Sequence, residues 1–378
     1  MTSFEDSLVR HLTARHRLHG IVLYGSRARG THHADSDYDL LLLRTPGLAP
    51  RPTERDVHHL DGALVDAWLY DATPDPAAEP GLLRLHGARV LLDLHGAAAA
   101  LLERVDEVAN GQPKAMAPGD LAAYRVWLPK MLARLQGDDP LVAGHYRAEL
   151  LHSLLPVWFE ARRHWYRGTR QGAAWIREEA PDVARVFEAA LRPNAELLAL
   201  EAAVGALRQA LDRAAVVVRD VTEEDVPAVV ALVARVLPEF GLAFGHGSAT
   251  DEAVQHLPGS FTERGGAFWV AVDSVDGRLL ACAGAVPVAP GVLEIQKMYA
   301  AQEARGLGLG AELLARCEAF ARGAGATTLV LDTTHAMTQA VRLYERSGFV
   351  RDDQQIRGSR CSMGFRKDLV QTARPSGS

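Results

Sequence analysis

Three textures of apolar and polar positions follow one another along the chain. Short apolar runs bounded by turn residues come first: Gly20–Tyr24 (GIVLY), Tyr38–Leu43 (YDLLLL), Gly62–Tyr70 (GALVDAWLY) and Ala88–Leu94 (ARVLLDL). They predict strands of a small α/β unit, closed by a return to helical period in HGAAAALLERVDEV. From Pro118 to Ala215 apolar positions recur at helical spacing only, in segments such as DLAAYRVWLPKMLARL and NAELLALEAAVGALRQALDRAA, with Gly, Asp and Pro between them. Strand pattern returns at VVVRD. Thr222 and Asp225 then form a capping-box variant that opens a helix through Val236. Strands are predicted near Ala267–Val272, Leu279–Pro287, Val292–Tyr299 and Thr328–Asp332, with helices at Leu309–Arg322 and Thr338–Ser347.

The pattern predicts an α/β multidomain chain: an α/β unit over 1–114, a helical bundle over 115–213, a second α/β domain over 214–370 and a disordered tail at 371–378. A length of 378 residues exceeds what one core usually organises. The net charge of -6 gives no global basic field, which disfavours general nucleic-acid binding. Cys282, Cys317 and Cys361 form no CxxC pair, so neither a disulfide framework nor a zinc knuckle is supported. The opening segment MTSFEDSLVRHLTARHRLHG reads as an amphipathic helix rather than a signal peptide. No run has the length of a membrane span. A cytoplasmic protein is expected, with the oligomeric state open.

Candidate chemistry begins at LYGSRARGTHHADSDYDLLLL (Leu23–Leu43), where carboxylates cluster beyond what a turn requires. Residues i and i+2 of a strand share a face, so Asp37 and Asp39 project together. Two such carboxylates repel unless a cation sits between them, and oxygen-only ligands favour Mg²⁺. Asp66 breaks the apolar alternation of GALVDAWLY, where an unpaired carboxylate is costly. Gly25-Ser26 follows a strand, where a tight turn offers amides and a hydroxyl to phosphate. Arg27 and Arg29 are candidate phosphate contacts or neutralising partners of the aspartates. His32-His33 and His58-His59 read as loop pairs.

A strand, Gly-Ser, ten intervening residues (Arg27–Ser36) and Asp-x-Asp resemble the signature of DNA polymerase beta-like nucleotidyltransferases. The resemblance implies Mg²⁺-dependent transfer of NMP from an NTP, with ATP the expected donor. It assigns Gly25, Ser26 and Arg29 to the nucleotide, and Asp37, Asp39 and Asp66 to the metal and to catalysis. The helical segment is similar to the acceptor-side bundle of small-molecule and antibiotic nucleotidyltransferases, and Glu149 and Glu160 are candidates for a general base.

A second constellation lies in VLEIQKMYAAQEARGLGLGAELLARCEAF, a strand, a polar loop, a glycine run and a helix. Glycines there let a ligand approach the backbone, and the helix N-terminus favours pyrophosphate, as in dinucleotide or coenzyme A sites. Asp332 ends a strand where a dinucleotide's ribose-binding acid belongs. R-x-x-G-x-G starting at Arg305, with AVRLYERSGF (Ala340–Phe349) after it, resembles instead the GNAT superfamily of N-acetyltransferases, over roughly Ala214–Leu369. The resemblance implies that acetyl-CoA is held by the backbone of Met298, Tyr299 and Ala300 and by Arg305, Gly306, Gly308 and Gly310. It makes Tyr344 the acid for the leaving thiolate and Glu294 the base, commonly acting through water. Glu294 is expected to share a strand face with Gln296 and Met298. Met337 departs from the family, which often has Asn there.

Together these features read as a bifunctional group transferase acting on small molecules with amine and hydroxyl groups, an aminoglycoside being one example. Two alternatives remain. One domain could be catalytic and the other a degenerate ligand-binding or partner-binding module, or the C-terminal domain could bind a dinucleotide.

Overall fold

Helix α1 (Phe4–Arg15) opens with a reciprocal cap, in which Ser3 Oγ accepts from the Asp6 amide and the Asp6 carboxylate accepts from the Ser3 amide. The structure, a computed structural model, describes residues 3–45, 47, 54–245 and 249–369. The tail expected to be disordered lies outside the described residues. The chain divides into two compact units: Met1–Ala115 with Met131–Leu207, and Met116–Lys130 with Arg208–Ser378.

The first unit is built on a sheet of β1 (Leu18–Tyr24), β2 (Tyr38–Arg44), β3 (Glu54–Leu60), β4 (Ala63–Tyr70) and β5 (Arg89–Asp93) in the order β3-β4-β2-β1-β5. A single turn of helix, α2 (Gly25–Ala28), follows β1, and α3 (Ala97–Asn110) follows β5. Strands β2 and β4 are parallel and the other pairs antiparallel. The continuous apolar runs of β1 and β2 are explained by burial on both faces. Ile21, Leu23, Leu40 and Leu42 pack with Leu8 and Leu12 of α1, while Val22, Tyr24, Leu41 and Leu43 pack with Leu101 and Val105 of α3.

Strand β3 was not expected, and it corrects the reading of His58-His59 as a loop pair. Asp61 (φ 46°) and Gly62 (φ 83°) turn β3 into β4 as a tight hairpin. The helices of the central stretch are α4 (Pro118–Arg134), α5 (Pro140–Ala161), α6 (Thr169–Glu179), α7 (Pro181–Ala190) and α8 (Leu197–Ala214). Residues 118–130 of α4 and 208–214 of α8 fall in the second unit.

The second unit contains β6 (Val216–Asp220), α9 (Val226–Val236), α10 (Ala249–Ala253), α11 (Gly259–Thr262), β7 (Ala267–Asp273), β8 (Leu279–Ala289), β9 (Val292–Ala300), α12 (Leu309–Gly323), β10 (Thr328–Thr333), α13 (Thr338–Arg346), β11 (Val350–Arg351) and β12 (Met363–Asp368). Its sheet runs β11-β12-β10-β9-β8-β7-β6, and only the β9–β10 pair is parallel. Leu313, Leu314 and Cys317 of α12 and Val229 and Val233 of α9 enter the sheet's core cluster. The Thr222–Asp225 capping box is present. It closes a 3₁₀ turn at Glu223–Asp225 that leads into α9, and Arg219 forks onto the same carboxylate. Arg125 of α4 grips Asp212 of α8 and Asp273 at the end of β7, fixing these helix segments to that strand end. Among the described residues no helix is long and apolar enough to cross a membrane.

Candidate functional site

Parallel pairing sets Asp39 of β2 directly beside Asp66 of β4, and Tyr24 of β1 pairs with Asp39 on the other side. Asp37 precedes β2. Carboxylate oxygens of Asp37, Asp39 and Asp66 all lie within 4.8 Å of one another. Burial, then the negative charges of Asp37 and Asp66, push the Asp39 carboxyl up to about 6. Asp66 is treated differently. Arg55 of β3 donates to both its oxygens, which holds Asp66 below the usual carboxylate range. Among the described residues neither Asp37 nor Asp39 forms an ion pair. A cluster of oxygen donors with unbalanced negative charge fits a hard divalent cation such as Mg²⁺.

The turn after β1 brings its backbone against this cluster. Gly25 has φ +77°, and a Cβ built there would stand 2.1 Å from Asp39 Oδ2, so the position needs glycine on both counts. Ser26 beside it is buried. Arg27 is a loop anchor: it donates to the carbonyls of Ser36 (2.6 and 2.9 Å) and Asp37 (3.2 Å), and its guanidinium lies 4.1 Å over the Tyr38 ring. Arg29 is exposed and favours the ionised Asp39. Arg55 and Arg84 were missed from sequence. Arg84 stands 5.3 Å from the Tyr24 ring and acts on the charges of Asp39 and Asp66. His32 and His33 are exposed in the loop, and Glu149 and Glu160 are exposed on α5.

In the second unit, β9 and β10 pair only from Thr328↔Val292 to Val330↔Glu294. Beyond Glu294, β9 stays paired with β8 on one side only. The gap beside it opens a cleft of about 650 Å³ lined by Glu294, Gln296, Met298, Tyr299, Asp332 and Tyr344 among others. The expected alternation of β9 is broken at Lys297, whose φ of +55° accompanies a register shift opposite Cys282 and Gly284. Lys297 turns its amine to the buried Asp251, which also accepts from Arg360 (2.9 Å) and from the Gly245 amide (2.8 Å).

Glu294 is 5 % exposed, and Gln296 donates to it. Burial pushes the Glu294 carboxyl above its ordinary value. Tyr344, also 5 % exposed, points its hydroxyl at Met298 Sδ (3.8 Å), and burial raises its phenol. Gly306 (φ +86°) and Gly308 (φ +79°, the N-cap of α12) take backbone conformations that other residues resist, and leave the first amides of α12 open to an anion. Gly310 serves packing: a Cβ there would meet Leu343 Cδ2 of α13 at 3.0 Å. Arg305 reaches the Ala300 carbonyl (3.3 Å) and Glu239 (2.7 Å). Met337 lines the cleft just before α13.

Asp332 accepts the amides of Arg357 (2.9 Å) and Gly358 (2.7 Å), so it anchors a loop in place of holding a ribose. Arg264, Arg357 and Arg360 also line the cleft and were not foreseen. They stand outside every motif, and no local pattern marks them.

A sheet parted at its one parallel pair over a glycine-opened helix defines an acetyltransferase domain, and the carboxylate cluster beside Gly-Ser defines a nucleotidyltransferase domain. The comparisons agree. The sequence model described as the acetyltransferase (GNAT) family matches residues 234–349, and that of the nucleotidyltransferase domain matches residues 7–68. The chain belongs to the GNAT family of acetyltransferases and carries a nucleotidyltransferase domain in addition. It is 30% identical over 144 residues to the uncharacterized N-acetyltransferase YjgM of Escherichia coli (strain K12), covering 37% of this chain and 85% of that protein. An uncharacterized N-acetyltransferase of Schizosaccharomyces pombe, C1271.07c, is 33% identical over 119 residues, 31% of this chain and 72% of its own. Among solved structures, a GNAT phosphinothricin acetyltransferase of Sinorhizobium meliloti in complex with acetyl-CoA covers 41% of this chain and 89% of its own, at 18% identity and a TM-score of 0.33.

Proposed function

We propose that the chain is a bifunctional transferase: it moves an NMP group from an NTP to one small acceptor and an acetyl group from acetyl-CoA to an amine. The reading rests on each unit gathering its own reactive groups, three aspartates within 4.8 Å in one and Glu294 with Tyr344 along a single cleft in the other.

In the acetyl transfer, Met298, Tyr299 and Ala300 hold the pantetheine arm, and Gly306, Gly308 and the first turn of α12 take the pyrophosphate. Glu294 removes a proton from the acceptor ammonium, directly or through water. The nitrogen then attacks the thioester carbonyl, a C–N bond forms as the C–S bond breaks, and Tyr344 gives its proton to the leaving thiolate. The surplus proton on the new amide nitrogen passes through water to restore Tyr344, and Glu294 returns its proton to solvent. The products are an N-acetyl amine and free coenzyme A.

For the nucleotidyl transfer, Asp37, Asp39 and Asp66 would hold Mg²⁺ and the Gly25-Ser26 turn and Arg29 would bind the triphosphate, so that an acceptor oxygen bonds to the α-phosphorus as pyrophosphate leaves. Bound Mg²⁺ supplies charge neutralisation and Lewis-acid activation of the phosphate. Arg55's grip on Asp66 favours a second reading for this unit alone, in which it binds nucleotide without transferring it.

The test is a thermal-shift screen of the full chain against NTPs with and without Mg²⁺ and against acetyl-CoA, followed by acceptor panels with each donor that binds. At a hundredfold excess over Kd each true donor stabilises by ~3 kcal/mol. A chain that neither ATP–Mg²⁺ nor acetyl-CoA stabilises contradicts the proposal.

A further inference from the structure

The acetyl cleft is unevenly charged. Its carboxylates are Glu294 and Asp332, and its cations are Arg264, Lys297, Arg357 and Arg360. The Asp332 carboxylate is occupied by two backbone amides, while Lys297 and Arg360 are both committed to Asp251. That leaves two guanidiniums with unspent charge. The Arg264 guanidinium makes no hydrogen bond or ion pair among the described residues, and the Arg357 guanidinium has only a loose approach to Glu294, 4.0 Å from Nε to the carboxylate. Both act electrostatically on Glu294. Deeper in, Gln296 Oε1 is buried without a hydrogen-bond partner beside Glu294. An unpaired buried acceptor is costly unless a donor arrives. The cleft thus offers oxygens to an N–H donor and, in the same lining, guanidiniums to an anion.

We propose that the acceptor of the acetyl group is an amine that carries its own anionic group, a carboxylate or a phosphate, bound by Arg357 and Arg264 while its nitrogen meets Glu294 and Gln296. This rests on the acetyl-transfer reading. Guanidinium binds both anions in a forked geometry, so the two share one recognition chemistry. Acetylation removes the acceptor's positive charge and leaves its anion on the arginines. A polycationic acceptor such as an aminoglycoside would face like charge at these side chains, where juxtaposition is unfavourable.

The experiment uses the full chain saturated with coenzyme A for binding and with acetyl-CoA for thiol release. The probes are the L-amino acids and their methyl esters, O-phosphoethanolamine and ethanolamine, and the polycations spermidine and kanamycin. Calorimetric binding should favour at least one anionic amine over its neutral counterpart by tenfold or more, with the amino-acid and phosphoethanolamine arms separating carboxylate from phosphate. For that amine, Arg357→Gln and Arg264→Gln should raise KM by ~10- to 100-fold, the scale of a charged hydrogen bond, without changing the KM of acetyl-CoA or of the neutral counterpart. Arg357→Lys should recover part of the loss. Preference for spermidine or kanamycin, equal binding of every anionic and neutral pair, or an equal effect of the arginine variants on both members of a pair would each overturn the proposal. Failure of the acetyl-transfer reading looks different: no thiol release with any amine and no stabilisation by acetyl-CoA, while the calorimetric comparison still decides the charge preference.

Discussion

Asp39 and Glu294 are both carboxylates whose protonated form is favoured by burial, yet their surroundings are opposite. Around Asp39 the next influences are two more negative charges, Asp37 and Asp66. Around Glu294 they are a donated hydrogen bond from Gln296 and the pull of Arg357, which restrain the rise that burial causes. A carboxylate crowded by its own kind calls for a bound cation. One that is buried and gently stabilised by a donor and a guanidinium is suited to taking up a proton and releasing it. Desolvation alone does not separate the roles, and the neighbouring charges do.

Removing the charge of Asp39 breaks the first half of that contrast, with the largest effect expected. Asp39→Asn should lower nucleotidyl transfer by ~10³-fold or more, because a ligand of the charge-stabilising cation is lost. Stabilisation by ATP–Mg²⁺ should vanish in the same variant, read as the shift in Tm. Wild-type turnover would show that the cluster is structural.

Glu294→Gln addresses the other half and should lower acetyl transfer by ~10²-fold with acetyl-CoA affinity unchanged. The base must be ionised to work. Since the Glu294 carboxyl is raised, the wild-type rate at saturating donor should climb with pH through a value above the ordinary carboxyl range. A pH–rate profile of Glu294→Gln that keeps this limb would assign it to another group.

Tyr344→Phe should cost less, about tenfold, because water can substitute as the acid. Burial keeps the phenol protonated through neutral pH, so its proton is available to the thiolate. A rate equal to wild type, measured with a poor thiol leaving group, would remove Tyr344 from the chemistry.

The smallest effect is on stability. The folded-state pKa of Asp39 is raised from 3.8 to about 6, so its ionisation opposes folding. That destabilisation is absent below the ordinary value and fully present above about 6. In metal-free buffer at pH 8, Asp39→Asn should therefore unfold at the same denaturant concentration as wild type or a slightly higher one, and the difference should disappear toward pH 4. A variant less stable at pH 8 would mean that the Asp39 charge is already balanced in the free protein.

Much of this was legible because strong apolar runs and glycine turns leave local signals. The runs of β1, β2 and β4 and the glycine-opened α12 are in the structure within a few residues of their expected bounds. Strand β3 was not legible, for a physical reason. Its inward positions carry Asp56 and His58, with Asp56 held by Arg15, His16 and His58, and this erases the apolar alternation that marks a strand. Asp37, Asp39 and Asp66 were legible as one site because the strand period and the parallel register both bring them together. Arg55, Arg84, Arg264 and Arg357 were not, since each reaches its site from a different element and arginine on a surface is ordinary. The bulge at Lys297 was also hidden: a positive φ at a lysine has no local sequence signature.

The central claim is that one chain holds two separate chemistries, each with its own carboxylates. It is tested most directly by measuring both turnovers, with ATP–Mg²⁺ and with acetyl-CoA, in the wild type, Asp39→Asn and Glu294→Gln. The account predicts that Asp39→Asn silences nucleotidyl transfer and leaves acetyl transfer within about twofold, the ordinary scatter for an independent site. It predicts the converse for Glu294→Gln. Loss of both turnovers in either variant, or of neither in both, would contradict it.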